Sequence, residues 1–244
     1  MNDIAKLIAC AVLGVSMVTT SAHAAAGDHT ISLGYAHFQF PGLKDFVKDA
    51  TTHNRLIFND FVNNNYVNSF DEYEDSSVRG YEGKAKNPQG INIKYRYEIT
   101  DELGVISSFT WTRSMTNSQN FVDIKPASSQ QKIRNPAASA RTDIRANYWS
   151  LLAGPSWRFN QYISLYAMAG MGVAKVTADL KVKDTINSAG GFSESKRTKK
   201  TAPAWAAGAQ FNLNDSVTMD VAYEGSGSGD WRTSGVTVGV GLKF

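Results

Sequence analysis

Side chains that could act as an acid, a base or a nucleophile are scattered in this sequence. His29 and His37 fall near the two ends of one predicted strand, and His53 falls in a long polar insertion. A hydrolase needs a base beside a nucleophile and an orienting acid, but no serine or acidic residue stands at a recognisable spacing from His37. We therefore predict no catalytic residue and no enzyme activity. A lipid-modifying enzyme that uses His37 is the alternative.

The sequence also gives no support for a metal site or for redox chemistry. The sequence contains a single cysteine, Cys10, and it lies in an N-terminal segment that we expect to be removed. The mature chain would then contain no disulfide and no thiolate metal site, and we predict neither a metal nor a cofactor. The net charge of +3 is too small to indicate nucleic-acid binding.

The N-terminal residues have the pattern of a secretory signal peptide. Lys6 precedes an apolar run, and small residues suitable for cleavage end at Ala24. We predict that residues 1–24 are removed and that residues 25–244 form one domain. No later stretch approaches the ~18 uninterrupted apolar residues of a membrane helix, so any entry into a membrane must use strands. A lipoprotein acylated at Cys10 is the alternative.

The last residues of the chain read as a strand with two different faces. One parity is small or polar and the other is continuously apolar, comprising Val236, Val238, Val240, Leu242 and Phe244. This period of two is typical of a β-strand. A final strand that ends on an aromatic residue is typical of the closing strand of an outer-membrane barrel. An ordinary strand of a soluble sheet is the alternative.

Further segments along the chain show the same alternation. They lie around residues 30–36, 91–98, 103–111, 149–159, 162–173, 203–211 and 217–224. Long polar segments alternate with short turns between them, the long ones at about 41–89, 114–141 and 181–200 and the short ones at about 100–102, 160–161 and 212–215. Outer-membrane barrels have long extracellular loops and short periplasmic turns. We predict an all-β fold, an eight-stranded antiparallel transmembrane β-barrel.

The alternation alone does not say which face of each strand points outward, because a lipocalin-like soluble barrel has the same period. The polar parity is rich in small residues that suit a narrow interior, such as Gly34, Ala36 and Gly208. Aromatic residues on the apolar parity form two groups at the strand ends, as in the girdles of membrane barrels. The group facing the long loops is Tyr35, Trp111, Trp149, Trp205 and Tyr223, and the opposite group is Tyr97, Trp157, Phe159, Phe211 and Phe244.

On this assignment, several charged side chains project into the barrel. They are Lys94, Arg96, Glu98, Arg158, Asp220 and Glu224, with Gln210 and Lys243 beside them. Buried charges must pair, so we predict a mixed network of salt bridges and hydrogen bonds. A barrel of this size is only wide enough to be filled by its own side chains, which predicts no open pore. A proton or ion path is the alternative.

The predicted loops hold the candidate ligand-binding residues. Loop three ends in a basic run and loop one contains aromatic residues, which are frequent at interfaces; the candidates are Lys196, Arg197, Lys199, Lys200, Phe70 and Tyr73. The basic residues could bind lipopolysaccharide phosphates, sulfated glycans or an acidic host protein. The alternatives are a solvated charge run and aromatic residues that pack on one another to shape the loop.

Several segments in combination resemble the Ail/OmpX/PagC/Lom family. They are 87–98, 153–158, 164–166, 170–172 and 208–212, with Tyr223, Glu224 and the terminal Gly-Val-Gly-x-x-Phe pattern. The resemblance implies an eight-stranded outer-membrane barrel whose relatives promote adhesion to host cells or matrix, invasion and resistance to complement. Two features depart from the family: the first loop is longer than expected, and Leu242 stands where tyrosine is usual. The longer loop bears on function, because ligand binding resides on loops that vary.

Together these features predict a multi-pass protein of the outer membrane of a Gram-negative bacterium. We expect its surface loops to mediate host-cell adhesion, invasion and serum resistance. The expected partners are outer-membrane lipids and lipopolysaccharide, host matrix proteins, cell-surface glycans or complement regulators, and the barrel assembly machinery through the strand ending at Phe244. The alternative is a structural or stress-response component that contacts lipopolysaccharide and has no host ligand.

Overall fold

The computed structural model describes residues 26–64, 73–81, 83–126, 138–184 and 190–244. The predicted signal peptide, residues 1–24, and the candidate ligand residue Phe70 lie outside the described residues. The elements in chain order are β1 (His29–Gln39), α1 (Gly42–Val62), β2 (Tyr73–Tyr81), β3 (Gln89–Glu98), β4 (Leu103–Pro126), β5 (Ala138–Arg158), β6 (Ile163–Asp184), β7 (Phe192–Asn212), β8 (Val217–Ser226) and β9 (Thr233–Lys243). A short 3-10 helix spans Gly229–Trp231.

The strands close into an antiparallel ring of eight. The ring runs from β1 through β3, β4, β5, β6, β7, β8 and β9 and returns to β1. β2 stands outside this ring and pairs with the part of β4 that extends beyond the end of β3. The predicted eight-stranded antiparallel barrel is therefore confirmed.

The three short turns share one hydrogen-bond pattern. In each, a Thr or Asn side chain accepts hydrogen bonds from the backbone N–H groups two and three residues later, which is why these residue types favour turns. The distances are 3.3 and 3.0 Å at Thr100, 2.8 and 2.9 Å at Asn160, and 2.9 and 2.7 Å at Asn214. The turns lie where the sequence pattern predicted them.

The boundaries predicted for the second and third long loops are wrong, and all three predicted loops contain regular structure. Most of 114–141 is strand, since β4 continues to Pro126 and β5 begins at Ala138. Most of 181–200 is also strand, since β6 ends at Asp184 and β7 begins at Phe192. The first predicted loop contains α1 and β2.

The upper parts of β4, β5, β6 and β7 were not predicted as strands, because the apolar residues switch from the outward face to the inward face at the level of Trp149. Below this level the outward residues of β5, such as Leu151, are apolar and exposed, while the inward Ser150 is buried. Above it the inward Ile144 is buried and apolar, while the outward Arg145 is charged. Lipid surrounds the lower part and water the upper part, so the face that must be apolar moves from the outside to the inside.

The upper parts of four strands form, with β2 and α1, a structure that we call the extracellular lobe. It comprises residues 42–62, 73–81, 113–126, 138–147, 174–184 and 192–203. α1 lies against the inner face of the lobe's sheet. Its buried residues recur every three or four positions, the spacing of one helix face; they are Leu43, Val47, Thr51, Asn54, Phe58 and Val62. Among the described residues, no helix is long and apolar enough to cross a bilayer.

Two apolar clusters hold α1 in the lobe. The lower cluster surrounds Leu43 and Val47, and the upper one packs Phe58 and Val62 against residues of β4, β5 and β6, namely Val122, Ala138, Ala140, Leu180 and Val182. The small side chains of the sheet let the helix approach closely. Between the clusters, Asn54 Nδ2 donates a hydrogen bond of 3.1 Å to Thr142 Oγ1, and both residues are buried.

Candidate binding surface

The lower half of the barrel interior holds a group of charges around Glu98. Arg96 and Arg158 both form ion pairs with Glu98, the latter at 2.9 Å. Arg96 Nη1 also donates a hydrogen bond of 2.6 Å to Gln210 Oε1. β3 and β7, which carry Arg96 and Gln210, lie four places apart in the ring, so this bond crosses the full width of the barrel.

The upper half of the interior is arranged around two carboxylates. Asp220 forms an ion pair with Lys94 and accepts a hydrogen bond of 2.7 Å from the Tyr166 hydroxyl. Glu224 accepts hydrogen bonds from the hydroxyls of Tyr148 (2.8 Å), Thr110 (2.9 Å) and Ser150. All of the predicted interior charges thus lie inside the barrel, with opposite charges or hydroxyl donors as partners. Side chains joined across the lumen occupy the space that a pore would need.

The histidines have no catalytic arrangement in the part of the chain that the structure describes. His29 lies on the outer face near the periplasmic end, where its Nδ1 is 2.7 Å from the Tyr95 hydroxyl and its ring stacks on Phe244. His37 Nε2 lies 3.5 Å from the side-chain nitrogen of Asn87, and His53 is exposed on α1. The described residues contain no cluster of potential metal ligands.

The predicted basic run lies in strand β7 and not in a loop, which corrects the prediction. Neighbouring side chains of a strand point to opposite faces, so the run is split. Arg197 and Lys199 point outward, whereas Lys196 and Lys200 point to the inner side of the lobe. All four are exposed. The other candidate within the described range, Tyr73, begins β2 opposite Pro126, far along the chain from this run.

Outward-pointing cations of three neighbouring strands form one surface, which we call the basic face. Its members are Arg141 and Arg145 of β5, Lys175, Lys181 and Lys183 of β6, and Arg197 and Lys199 of β7. Sequence reasoning missed Arg145, Lys175 and Lys183, because the cations of β5 and β6 are separated along the chain and only the strand register brings them together. Their recurrence at alternate positions was the available signal.

Two aspartates lie within the basic face and are held by its arginines. Arg141 Nε donates to both carboxylate oxygens of Asp143 at 3.0 Å, and Arg145 forms an ion pair with Asp179. Asp179 also accepts a hydrogen bond of 2.6 Å from Ser195. This hydrogen bond, with the Arg145 guanidinium, holds the pKa of Asp179 below its usual value. Cations still outnumber acids on this face.

A shallow groove crosses the upper part of the basic face. It has a volume of about 480 Å³ and is lined by Gln119, Phe121, Ser139, Ala140, Arg141, Asp143, Lys181 and Lys183. Arg141 lies opposite Lys181, and Ser139 lies opposite Lys183, in the β5–β6 ladder. Three cations therefore meet at a polar floor with one aromatic side chain beside it, an arrangement suited to an anion that also has an apolar surface.

A second group of cations lies just above the membrane. Trp111 and Trp149 are opposite each other on β4 and β5, and both are about two-fifths exposed on the outer face. The next outward residues along the same strands form a row that runs Arg113, Asn147, Lys175 and Lys199 across four strands. Lys175 and Lys199 are direct neighbours in this row. Like charges placed directly opposite each other repel, so an anion bound between Lys175 and Lys199 would reduce their electrostatic repulsion.

A comparison with protein families now identifies the barrel. The family described as "Enterobacterial Ail/Lom protein" matches residues 82–244. The chain belongs to this family, as the resemblance predicted. The match begins after β2, so the helix and the extra strand of the lobe lie outside the range that the family shares.

Individual members of the Ail/Lom family agree with this assignment. The outer membrane protein Lom of Escherichia phage lambda is 34% identical over 175 residues, which cover 69% of this chain and 79% of Lom. The attachment invasion locus protein of Yersinia pseudotuberculosis is 35% identical over 159 residues, covering 65% of this chain and 73% of that protein. Like its relatives, this Ail/Lom protein is an outer-membrane protein of Gram-negative bacteria, and the predicted localisation is confirmed.

A solved structure of a relative contains a ligand. The attachment invasion locus protein of Yersinia pestis, in complex with the heparin analogue sucrose octasulfate, is 27% identical with a TM-score of 0.50, and the match covers 90% of this chain and 99% of that one. Another relative is the virulence membrane protein PagC of Salmonella typhimurium, which is 31% identical over 172 residues, covering 70% of this chain and 83% of PagC. Relatives of this Ail/Lom protein thus include virulence proteins of the outer membrane.

Proposed function

We propose that this protein is an adhesin whose barrel anchors the extracellular lobe and whose basic face binds sulfated glycans of host surfaces. The observation that carries the proposal is the groove in which Arg141, Lys181 and Lys183 meet. Adhesion, invasion and serum resistance would follow from this contact with the host surface. The barrel itself performs no catalysis in this proposal, and residues 1–24 serve only for export.

The chemistry of the groove supports a sulfated ligand. Arginine and lysine side chains form charge-assisted hydrogen bonds to sulfate and phosphate oxygens. The cations stand on paired strands, so little conformational freedom of the backbone is lost when a ligand binds. The relative from Yersinia pestis has been solved with a heparin analogue, a ligand of the same chemical class.

The first expectation concerns the cations of the groove. We expect Lys181→Gln with Lys183→Gln to weaken binding of heparin to the protein about tenfold, because two charge-assisted contacts are lost. Binding would be measured with the protein refolded in detergent and heparin immobilised on a sensor surface. The matched control is Lys196→Gln with Lys200→Gln, which removes the same charge from the inner side of the lobe and should change affinity much less.

The two double variants separate a specific surface from a general effect of charge. Equal loss in both would show that net charge alone attracts the glycan, and no loss in either would remove the basic face from the proposal. The proposal therefore requires a lower heparin affinity for Lys181→Gln with Lys183→Gln than for Lys196→Gln with Lys200→Gln.

A second function is favoured by the row of cations above the tryptophans. Arg113, Lys175 and Lys199 lie one outward position, about 7 Å along the strands, beyond the ladder row that contains Trp111 and Trp149. The phosphates of lipopolysaccharide lie at this boundary between lipid and water. The row would then bind the surrounding lipopolysaccharide and contribute to the strength of the envelope, whether or not a host ligand is present.

The second expectation tests this row. Lys175→Gln with Lys199→Gln should make cells more sensitive to detergents and reduce the lipopolysaccharide that copurifies with the barrel, because two neighbouring cations able to bind one phosphate are lost. Heparin binding through the upper groove should persist in this variant. Unchanged copurification and unchanged sensitivity would contradict the second function and leave the first intact.

A further inference from the structure

The groove on the basic face and the helix α1 lie on opposite sides of the same two strands. In β5, Arg141 and Asp143 line the groove, and Thr142 between them points inward and is buried. In β6, the groove residue Lys181 follows the buried, inward Leu180. Successive side chains of a strand belong to opposite faces of the sheet. An element that packs on the inward residues therefore lies directly behind the groove.

α1 is the element that packs there. Asn54 Nδ2 donates a hydrogen bond of 3.1 Å to Thr142 Oγ1 of β5. One helical turn later, Phe58 belongs to the apolar cluster that contains Leu180 and Val182 of β6. Both strands that supply the cations of the groove are thus covered from behind by one face of α1.

The hydrogen bond of Asn54 does what the apolar contacts cannot. Hydrophobic contacts have no direction, so they hold a helix against a sheet without fixing its position along the strands. Asn54 is 8% exposed and Thr142 is 2% exposed, and a shift of α1 would leave both polar groups buried without a partner, which is costly. The bond therefore fixes α1 relative to β5 at the residue between Arg141 and Asp143.

α1 contributes no net charge that could attract a glycan by itself. Its basic and acidic side chains balance; they are Lys44, Lys48 and Arg55, and Asp45, Asp49 and Asp60. Asn54 and Phe58 are both uncharged. Replacing either of them with alanine can therefore change heparin binding only through the geometry of the lobe.

We propose that α1 positions the groove for glycan binding, with Asn54 and Phe58 as positioning residues behind it. This inference rests on the proposed function, because it assigns the support of the same site. The residues that the family shares begin at residue 82, so α1 is a part of glycan recognition that lies outside them. Coupling between two events is reciprocal. A glycan that binds more tightly when α1 is attached must also hold α1 in place.

Heparin affinity of α1 variants is the first test, with the refolded protein and immobilised heparin. We expect Asn54→Ala to weaken heparin binding about fivefold and Phe58→Ala to weaken it at least about tenfold, because the strands behind the groove cations lose their support. The matched control is Thr52→Ala, since Thr52 is exposed on the same helix. This variant should bind heparin as the unaltered protein does.

A double-mutant cycle shows whether Asn54 acts through the groove. Asn54→Ala added to Lys181→Gln with Lys183→Gln should weaken heparin binding further by less than about twofold, because residues that act through the same contacts are not additive. A general loss of structure would instead lower the affinity by the same factor in both backgrounds.

The reciprocal measurement uses hydrogen exchange of the unaltered protein. Saturating soluble heparin should slow the exchange of the α1 amides about tenfold, the factor expected for the effect of Phe58→Ala on affinity. The amides of β9 should exchange at the same rate with and without heparin. In Lys181→Gln with Lys183→Gln, heparin at the same concentration should slow the α1 amides much less.

The outcomes separate this inference from the proposed function. If the lysine substitutions weaken heparin binding while Asn54→Ala and Phe58→Ala do not, α1 has no positioning role and the glycan groove stands. Full additivity in the cycle, or exchange of α1 that heparin does not slow, would also overturn the role of α1. If the lysine substitutions leave heparin binding unchanged, the proposed function fails, and the inference falls with it.

Discussion

Replacing Asp220 by alanine is expected to lower the free energy of unfolding by about 3–5 kcal/mol, the cost of leaving a buried charge without its partner. Asp220 is 1% exposed, and it forms an ion pair with Lys94, which is 3% exposed. The substitution leaves the Lys94 ammonium with one neutral acceptor, Thr237 Oγ1 at 2.9 Å. It also removes the acceptor of the Tyr166 hydroxyl. Urea unfolding in phospholipid vesicles, followed by tryptophan fluorescence, would measure the loss.

A double substitution shows whether the loss comes from the unpaired charge. Lys94→Met with Asp220→Leu removes both charges and keeps similar volumes, and replacing a buried ion pair in this way is often neutral or stabilising. We expect the double variant to recover most of the stability that Asp220→Ala loses. If both variants were equally unstable, the unpaired Lys94 charge would not be the cause. The loss would then come from the packing around Asp220 or from the Tyr166 hydroxyl, whose acceptor both variants remove.

Phe58→Ala is expected to detach α1 from the extracellular lobe while the barrel stays folded. Phe58 is fully buried against residues such as Val122 and Leu180. Truncating a buried phenylalanine costs about 3–5 kcal/mol, and here the cost falls on the lobe. Hydrogen exchange should show the amides of α1 exchanging at least about a hundredfold faster, whereas the amides of β9 should keep their protection.

The matched control for this variant lies two residues earlier in the same helix. Leu56 is 55% exposed, so Leu56→Ala should change stability by no more than about 0.5 kcal/mol. Both variants remove a large apolar side chain from α1, and only one removes it from the core. Unchanged protection of α1 in Phe58→Ala would show that the helix is held by something other than its buried face.

The barrel has two separate cores, one within the membrane and one above it. In the membrane, polar side chains and a smaller apolar cluster around Ile106, Leu152 and Met168 fill the interior, and lipid covers the apolar outside. Above the membrane, α1 fills the interior with apolar side chains and the outside carries the cations. The part of the protein above the membrane is thus a folded lobe, and strand pairing holds its basic face in place.

The sequence by itself determined the membrane part of this protein. Lipid imposes one rule over the whole height of a bilayer, that outward residues are apolar, and the alternation from Ile91 to Tyr97 or from Val236 to Leu242 could be read directly. The short turns could be predicted because Thr100, Asn160 and Asn214 act within a few residues. The interior placement of Lys94 and Asp220 followed from strand parity, once the small residues and the aromatic groups had shown which parity faces inward.

The architecture of the extracellular lobe could be known only from the tertiary structure. The apolar parity changes at the membrane boundary, so β5 above Trp149 no longer matched the pattern below it, and Arg145 fell outside every predicted strand. α1 was not predicted because its buried face includes the polar Thr51 and Asn54, whose hydrogen-bond partners, Ser118 of β4 and Thr142 of β5, are far away in the sequence. The basic face depends on a register between strands that are far apart in sequence, and no local pattern specifies such pairing.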